Sequence, residues 1–128
     1  MIRLLYVDSS QDMREIIAAF CERIGSFTVK ILNSGESALE WLSASPADVI
    51  VSDYDMPGGM NGIMFLRELR SRGDKTPFIL FTAHPSRTVI EKAYRNGVFS
   101  VINKTSSGKN LIHYLIRTIY WAVLYSGI

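Results

Sequence analysis

The feature that most constrains this chain is an alternation, repeated five times, of a short apolar run with a longer stretch of helical period. Residues 2–7 read as a strand ending at Asp8. Ser9 or Ser10 can then cap a helix over 11–24, with Met13, Ile16, Ile17 and Phe20 on one face and Gly25 as its stop. A second run at 27–31 precedes a helix over 35–43 that carries Ala38, Leu39 and Leu42. The run at 48–52 is apolar enough for a central strand. A breaker-rich loop over 53–59 leads into a helix over 61–72 with Ile63, Leu66 and Leu69 facing inward. Runs at 77–81 and 99–102, with helices over 87–96 and from Gly108 to 125, complete the pattern. Each unit is about 25 residues, enough for a parallel strand and its crossover helix. Right-handed crossovers then give an α/β fold, a five-stranded parallel sheet doubly wound with five helices. With five strands, the order 2-1-3-4-5 is the expectation.

The 128 residues suit one domain over 1–128 with a sizeable core. A hydrophobic share of 48% against 20% charged residues excludes a disordered chain, and a net charge of +2 gives no general pull toward nucleic acid or membrane. The lone Cys21 allows no internal disulfide, so it is expected as a buried thiol in a reducing compartment. No signal-peptide pattern opens the chain, and the most apolar stretch, 111–128, is interrupted by His113 and Arg117. A cytoplasmic location is therefore expected.

In open α/β sheets ligands bind beyond the carboxyl ends of the strands, near the switch point. There the sequence places Asp8 and Ser9 after strand one, Asp53 and Asp55 after strand three, Thr82 and Ala83 after strand four, and Asn103 and Lys104 after strand five. Two carboxylates at ~4 Å in an effective dielectric of ~20 repel by about 4 kcal/mol, a cost that a divalent cation relieves. Hard oxygen donors favour Mg²⁺. An aspartate beside such an ion and an ammonium is suited to act as a nucleophile toward phosphorus. Thr82 can donate a hydrogen bond to the arriving group.

These residues resemble the receiver domain of two-component response regulators over essentially the whole chain, a chemotaxis-regulator-like, flavodoxin-like fold. Asp8 matches the first of the family's acidic pair. Asp53 in Val-Ile-Val-Ser-Asp-Tyr-Asp-Met-Pro-Gly matches the phospho-acceptor, Asn61-Gly62 the opening of helix three, Phe81-Thr82-Ala83 the switch threonine and the small residue after it, and Lys104 the lysine. The resemblance implies a phosphorelay in which Asp53 receives a phosphoryl group from a histidine kinase or phosphotransfer protein. It also implies Mg²⁺ as cofactor, held by Asp8, Asp53 and the Asp55 backbone carbonyl. No catalytic turnover is implied beyond self-phosphorylation from a donor and slow autodephosphorylation.

Three positions depart from the family pattern. Ser9 replaces the usual second acid and is a weak ligand, which implies weaker metal binding. Thr105 replaces the usual proline after the lysine, so the Lys104–Thr105 peptide is either trans or cis at ~2.5–4 kcal/mol. Val101 occupies the switch-aromatic position and has no ring to rotate.

Blander assignments exist for single residues: Asp8 as a helix cap, His84 as a surface loop residue, the methionines at 56, 60 and 64 as packing. A degenerate pseudo-receiver acting as a constitutive interaction module is the alternative that Ser9 and Val101 favour. A haloacid-dehalogenase-type hydrolase is disfavoured, because its Asp-x-Asp-x-Thr motif should follow the first strand. The last helix carries a stripe wider than one buried face needs, with Tyr114, Trp121 and Tyr125 adding aromatic area. A homodimer or partner face on helix four, strand five and helix five is one expectation from it.

Overall fold

A computed structural model describes residues 1–105 and 110–126. The strands are β1 (Ile2–Val7), β2 (Phe27–Leu32), β3 (Val49–Ser52), β4 (Phe78–Thr82) and β5 (Ser100–Asn103). The helices are α1 (Gln11–Ile24), α2 (Gly35–Leu42), α3 (Gly62–Ser71), α4 (Arg87–Arg95) and α5 (Leu111–Ser126). The sheet is fully parallel in the order β2-β1-β3-β4-β5. The doubly wound fold expected from the alternation is the one observed.

Side-chain parity along each strand divides the core into two layers. Leu4 and Tyr6, Val49 and Val51, Ile79 and Phe81, and Ile102 pack with Ile17, Cys21, Leu115 and Ile119 of α1 and α5. Leu5 and Val7, Ile50, and Phe78 and Leu80 pack with Leu39, Phe65, Leu66, Leu69 and Ala93 of α2, α3 and α4. Cys21 is buried, and burial pushes its thiol above the ordinary value.

Helix starts follow local chemistry. Ser10, Ser34 and Ser86 each accept a backbone N–H three residues on, and Asn61 accepts from both Ile63 and Met64. Ser10 rather than Ser9 caps α1. Gly25 closes that helix in the left-handed region at φ 75°. Gly62 is required for space: a Cβ there would meet the Asp53 carbonyl oxygen, Leu80 Cδ1 and Tyr54 Cα. Its N–H donates to the Tyr54 carbonyl at 2.9 Å, tying the start of α3 to the loop after β3.

Several expectations shift. Ile16 is exposed, because the α1 stripe that meets the sheet runs through Met13, Ile17, Phe20 and Cys21. Thr82 belongs to β4, and β5 runs Ser100–Asn103, leaving Phe99 exposed before the strand. The start of the last helix at Gly108 lies outside the described residues. The α5 stripe buries Leu111, Leu115, Ile116, Ile119 and Ala122, while Tyr120, Trp121, Leu124 and Tyr125 are exposed. The Lys104–Thr105 peptide is trans.

Candidate functional site: a carboxylate pair bridged by a lysine

Backbone ladder bonds, with Ser52 of β3 opposite Leu80 of β4, bring the five strand ends to one level. The Asp53 N–H donates to the Val7 carbonyl at 2.9 Å, the Asp8 N–H to Leu32 at 3.1 Å, and the Lys104 N–H to Thr82 at 2.9 Å. Asp8, Asp53 and Lys104 continue the parity of the α1/α5 layer, since they follow Tyr6, Val51 and Ile102 by two residues. Thr82 and Val101 have the opposite parity, and Val101 packs in the α2/α3/α4 layer.

Lys104 is the centre of the cluster. Its Nζ donates to Asp8 Oδ2 at 2.7 Å and to Asp53 Oδ2 at 3.0 Å. It also lies over the Phe81 ring, 5.3 Å from the centroid. The three side chains are 11%, 0% and 11% exposed, so the bridge is almost dry. Two carboxylates thus meet at one ammonium, which offsets the repulsion between them.

Each acid has further partners. The other Asp53 oxygen, Oδ1, accepts from the Tyr54 N–H at 2.7 Å and the Asp55 N–H at 3.4 Å. Burial pushes the Asp53 carboxyl above its ordinary value; Lys104 pulls it back, and the Asp8 charge raises it further. Asp8 Oδ1 accepts from the Ser10 N–H at 2.9 Å, and its Oδ2 accepts from the Tyr6 hydroxyl at 2.7 Å. The Arg14 guanidinium donates to the Asp8 carbonyl at 2.8 Å. Burial, and next the Asp8 charge, pushes the Tyr6 hydroxyl far above its ordinary value, so it remains a donor.

Ser9 Oγ donates to the Asp55 carbonyl at 3.3 Å, and Asp55 is exposed in the loop after β3. Thr82 Oγ1 is the one buried side-chain polar atom among the described residues with no hydrogen-bond partner. A buried orphan hydroxyl costs about 1–3 kcal/mol. His84 is exposed, and Ala83 is half-buried.

The structure therefore brings Asp8, Asp53 and Lys104 into direct contact, sets the Asp55 carbonyl beside Ser9, and leaves Thr82 with an unused hydroxyl. The described residues hold no group of three or more His, Cys, Asp or Glu side chains suited to a metal. The available donors are two carboxylates, one main-chain carbonyl and one neutral hydroxyl. They are all hard oxygens, which fit Mg²⁺ in kind while falling one charge short of an acidic triad.

Tyr6 and Arg14 were missed by the reading of motifs. The available signal for Tyr6 was a lone phenol in a strand otherwise made of aliphatic residues and Arg3, two residues before Asp8 and so on the same face. Arg14 carried no such signal.

The family model for the response regulator receiver domain matches residues 4–116. The chain belongs to the response regulator receiver domain family. The Regulator of RpoS from Escherichia coli K12 is 32% identical over 96% of this chain and 35% of that protein. The C4-dicarboxylate transport transcriptional regulatory protein DctD of Rhizobium meliloti is 31% identical over 83% of this chain and 23% of that protein. This receiver chain thus spans about a third or less of the length of these curated relatives. The receiver domain of the Francisella response regulator 1452 superposes with a TM-score of 0.87 at 25% identity, covering 98% of this chain and 99% of that one. The chemotaxis response regulator CheY4 of Vibrio cholerae gives 0.79 at 26% identity, covering 92% of this chain and 98% of that one.

Proposed function

We propose that this chain is a single receiver domain over 1–128 in which Asp53 accepts a phosphoryl group from a histidine kinase or phosphotransfer protein. The observation that carries the reading is Lys104 Nζ, within hydrogen-bond reach of both Asp53 and Asp8. An oxygen of Asp53 forms the new O–P bond while the P–N bond of a donor phosphohistidine breaks, the imidazole leaving with the electron pair. Lys104 supports charge on the arriving oxygens. The unused Thr82 hydroxyl can donate to one of them, which would relieve its burial cost. Asp8, Asp53 and the Asp55 carbonyl would hold Mg²⁺, with Ser9 as a weak neutral neighbour. The ion would neutralise negative charge on the phosphoryl oxygens.

Thr82 shares the parity of Leu80 and Val101, which pack in the layer that contains α4, so a change at Thr82 is placed to reach that layer through its strand neighbours. The face built from α4, β5 and α5 carries exposed Tyr94, Phe99, Trp121 and Tyr125 and is the proposed partner or homodimer surface. A cytoplasmic location goes with a histidine kinase donor. Among the described residues no helix is long and apolar enough to cross a membrane.

The test is incubation of the full chain with acetyl phosphate and Mg²⁺, followed by intact mass. A species heavier by about 80 Da, absent in Asp53→Asn, is expected from one added phosphoryl group. An unchanged mass favours the second reading, a degenerate pseudo-receiver acting as a constitutive interaction module. The Ser9 Oγ bond to the Asp55 carbonyl favours that reading, because it competes for one of the two lone pairs of an oxygen assigned to the metal.

A further inference from the structure

Tyr6 is the one aromatic residue of β1, and it is fully buried. Nothing in the receiver reading gives its hydroxyl a task. Yet the hydroxyl donates to Asp8 Oδ2 at 2.7 Å. A carboxylate offers roughly four lone-pair positions, two on each oxygen. On Asp8, Oδ2 receives both the Tyr6 hydroxyl and Lys104 Nζ, each at 2.7 Å, so that oxygen is saturated. Among the described residues Oδ1 receives only the Ser10 N–H at 2.9 Å, which leaves one of its positions open.

The ring that carries this hydroxyl is fixed. It packs edge-on against Phe81, with centroids 6.4 Å apart, and lies within the α1/α5 layer. The hydroxyl cannot follow Asp8 if the carboxylate turns, and a turned carboxylate would strand a buried donor. Asp8 is held from three sides, and only Oδ1 keeps an unused lone pair toward the described residues. Because Ser9 is neutral, no second acid after β1 can take over from a badly aimed Asp8.

We propose that Tyr6 is a positioning residue of this site, whose hydroxyl pins the Asp8 carboxylate so that Oδ1 alone is presented to a divalent cation. The proposal rests on the receiver reading and adds a residue to it. Hydrogen-bond partners that orient metal-binding carboxylates carry about 10- to 100-fold of metal affinity in other sites.

The experiment compares the full-length parent with Tyr6→Phe, which keeps the ring and deletes only the hydroxyl. Mg²⁺ is titrated while the amide resonances of Asp8, Asp53 and Lys104 are followed by NMR. The variant is expected to bind about tenfold more weakly. In the parent, the shielded Tyr6 hydroxyl proton is expected to shift as Mg²⁺ is added, a readout that does not depend on the variant folding. An affinity within about twofold of the parent, or a tighter one, overturns the proposal, as does a hydroxyl proton indifferent to Mg²⁺. Labelling of the parent by acetyl phosphate separates the two levels. A parent that labels while Tyr6→Phe binds Mg²⁺ unchanged loses the role of Tyr6 alone. A parent that neither labels nor responds to Mg²⁺ loses both readings.

Discussion

At the residue scale the site is a set of polar groups placed in a dry strand-end cluster, and their costs differ. The Lys104 bridge satisfies two carboxylates at once. Thr82 Oγ1 has no hydrogen-bond partner among the described residues, so the domain without phosphate carries a cost with no structural return. A valine has nearly the same shape and no hydroxyl. Thr82→Val is therefore expected to raise stability by about 1 kcal/mol in metal-free, phosphate-free buffer, read from the urea midpoint at unchanged slope. The same variant should lose the chemical-shift response of the α4 layer to acetyl phosphate. A variant less stable than the parent would mean that the hydroxyl is already satisfied in the resting state.

At the element scale, strand starts matter as much as strand ends. The Asp48 N–H donates to the Arg3 carbonyl at 2.8 Å, and Asp48 Oδ2 accepts from the Arg3 N–H at 2.8 Å. The Arg3 guanidinium closes a forked pair with the same carboxylate at 2.9 and 3.1 Å. Together these bonds clamp the start of β1 to the residue before β3. The Arg3 side-chain and backbone hydrogen bonds hold the Asp48 carboxyl below its ordinary value of 3.8. The folded value is thus the lower of the two, so the contribution to stability is present above the unfolded value and is lost as pH falls through the folded one. The stability gap between the parent and Asp48→Ala should accordingly be constant near neutral pH and shrink in acid, below about pH 4. Urea midpoints across pH measure it, and a gap that widens in acid would contradict the assignment. This clamp was not legible in the sequence, because Arg3 and Asp48 are far apart in the chain and neither sits in a motif. Element order was legible, since hydrophobic period needs no tertiary knowledge. Boundaries moved by about one residue where ladder pairing rather than composition decides the end, as at Thr82 and Phe99.

At the scale of the whole molecule, strand parity explains what the sequence could and could not reveal of the site. Asp8, Asp53, Thr82 and Lys104 stood at predictable strand ends, and parallel register alone brings such ends together. What parity adds is a division of labour: acids and lysine continue the α1/α5 layer, while Thr82 and Val101 continue the layer that includes α4. That division depends on where each strand begins and ends, which the apolar runs left uncertain by a residue. The outer face of α5 was legible as surplus apolar area but not as a surface with a direction. In the fold, Tyr125 and Phe99 line one groove, and Trp121 stacks on Tyr125 with centroids 5.1 Å apart and planes 8° apart. Trp121, 45% exposed, has no core to support. If this face meets a second copy as proposed, Trp121→Ser should weaken self-association in sedimentation equilibrium, with and without acetyl phosphate. Monomer stability should stay within about 0.5 kcal/mol, as for surface positions generally. Unchanged association would move the homodimer off this face, and a large loss of stability would place Trp121 in the core instead.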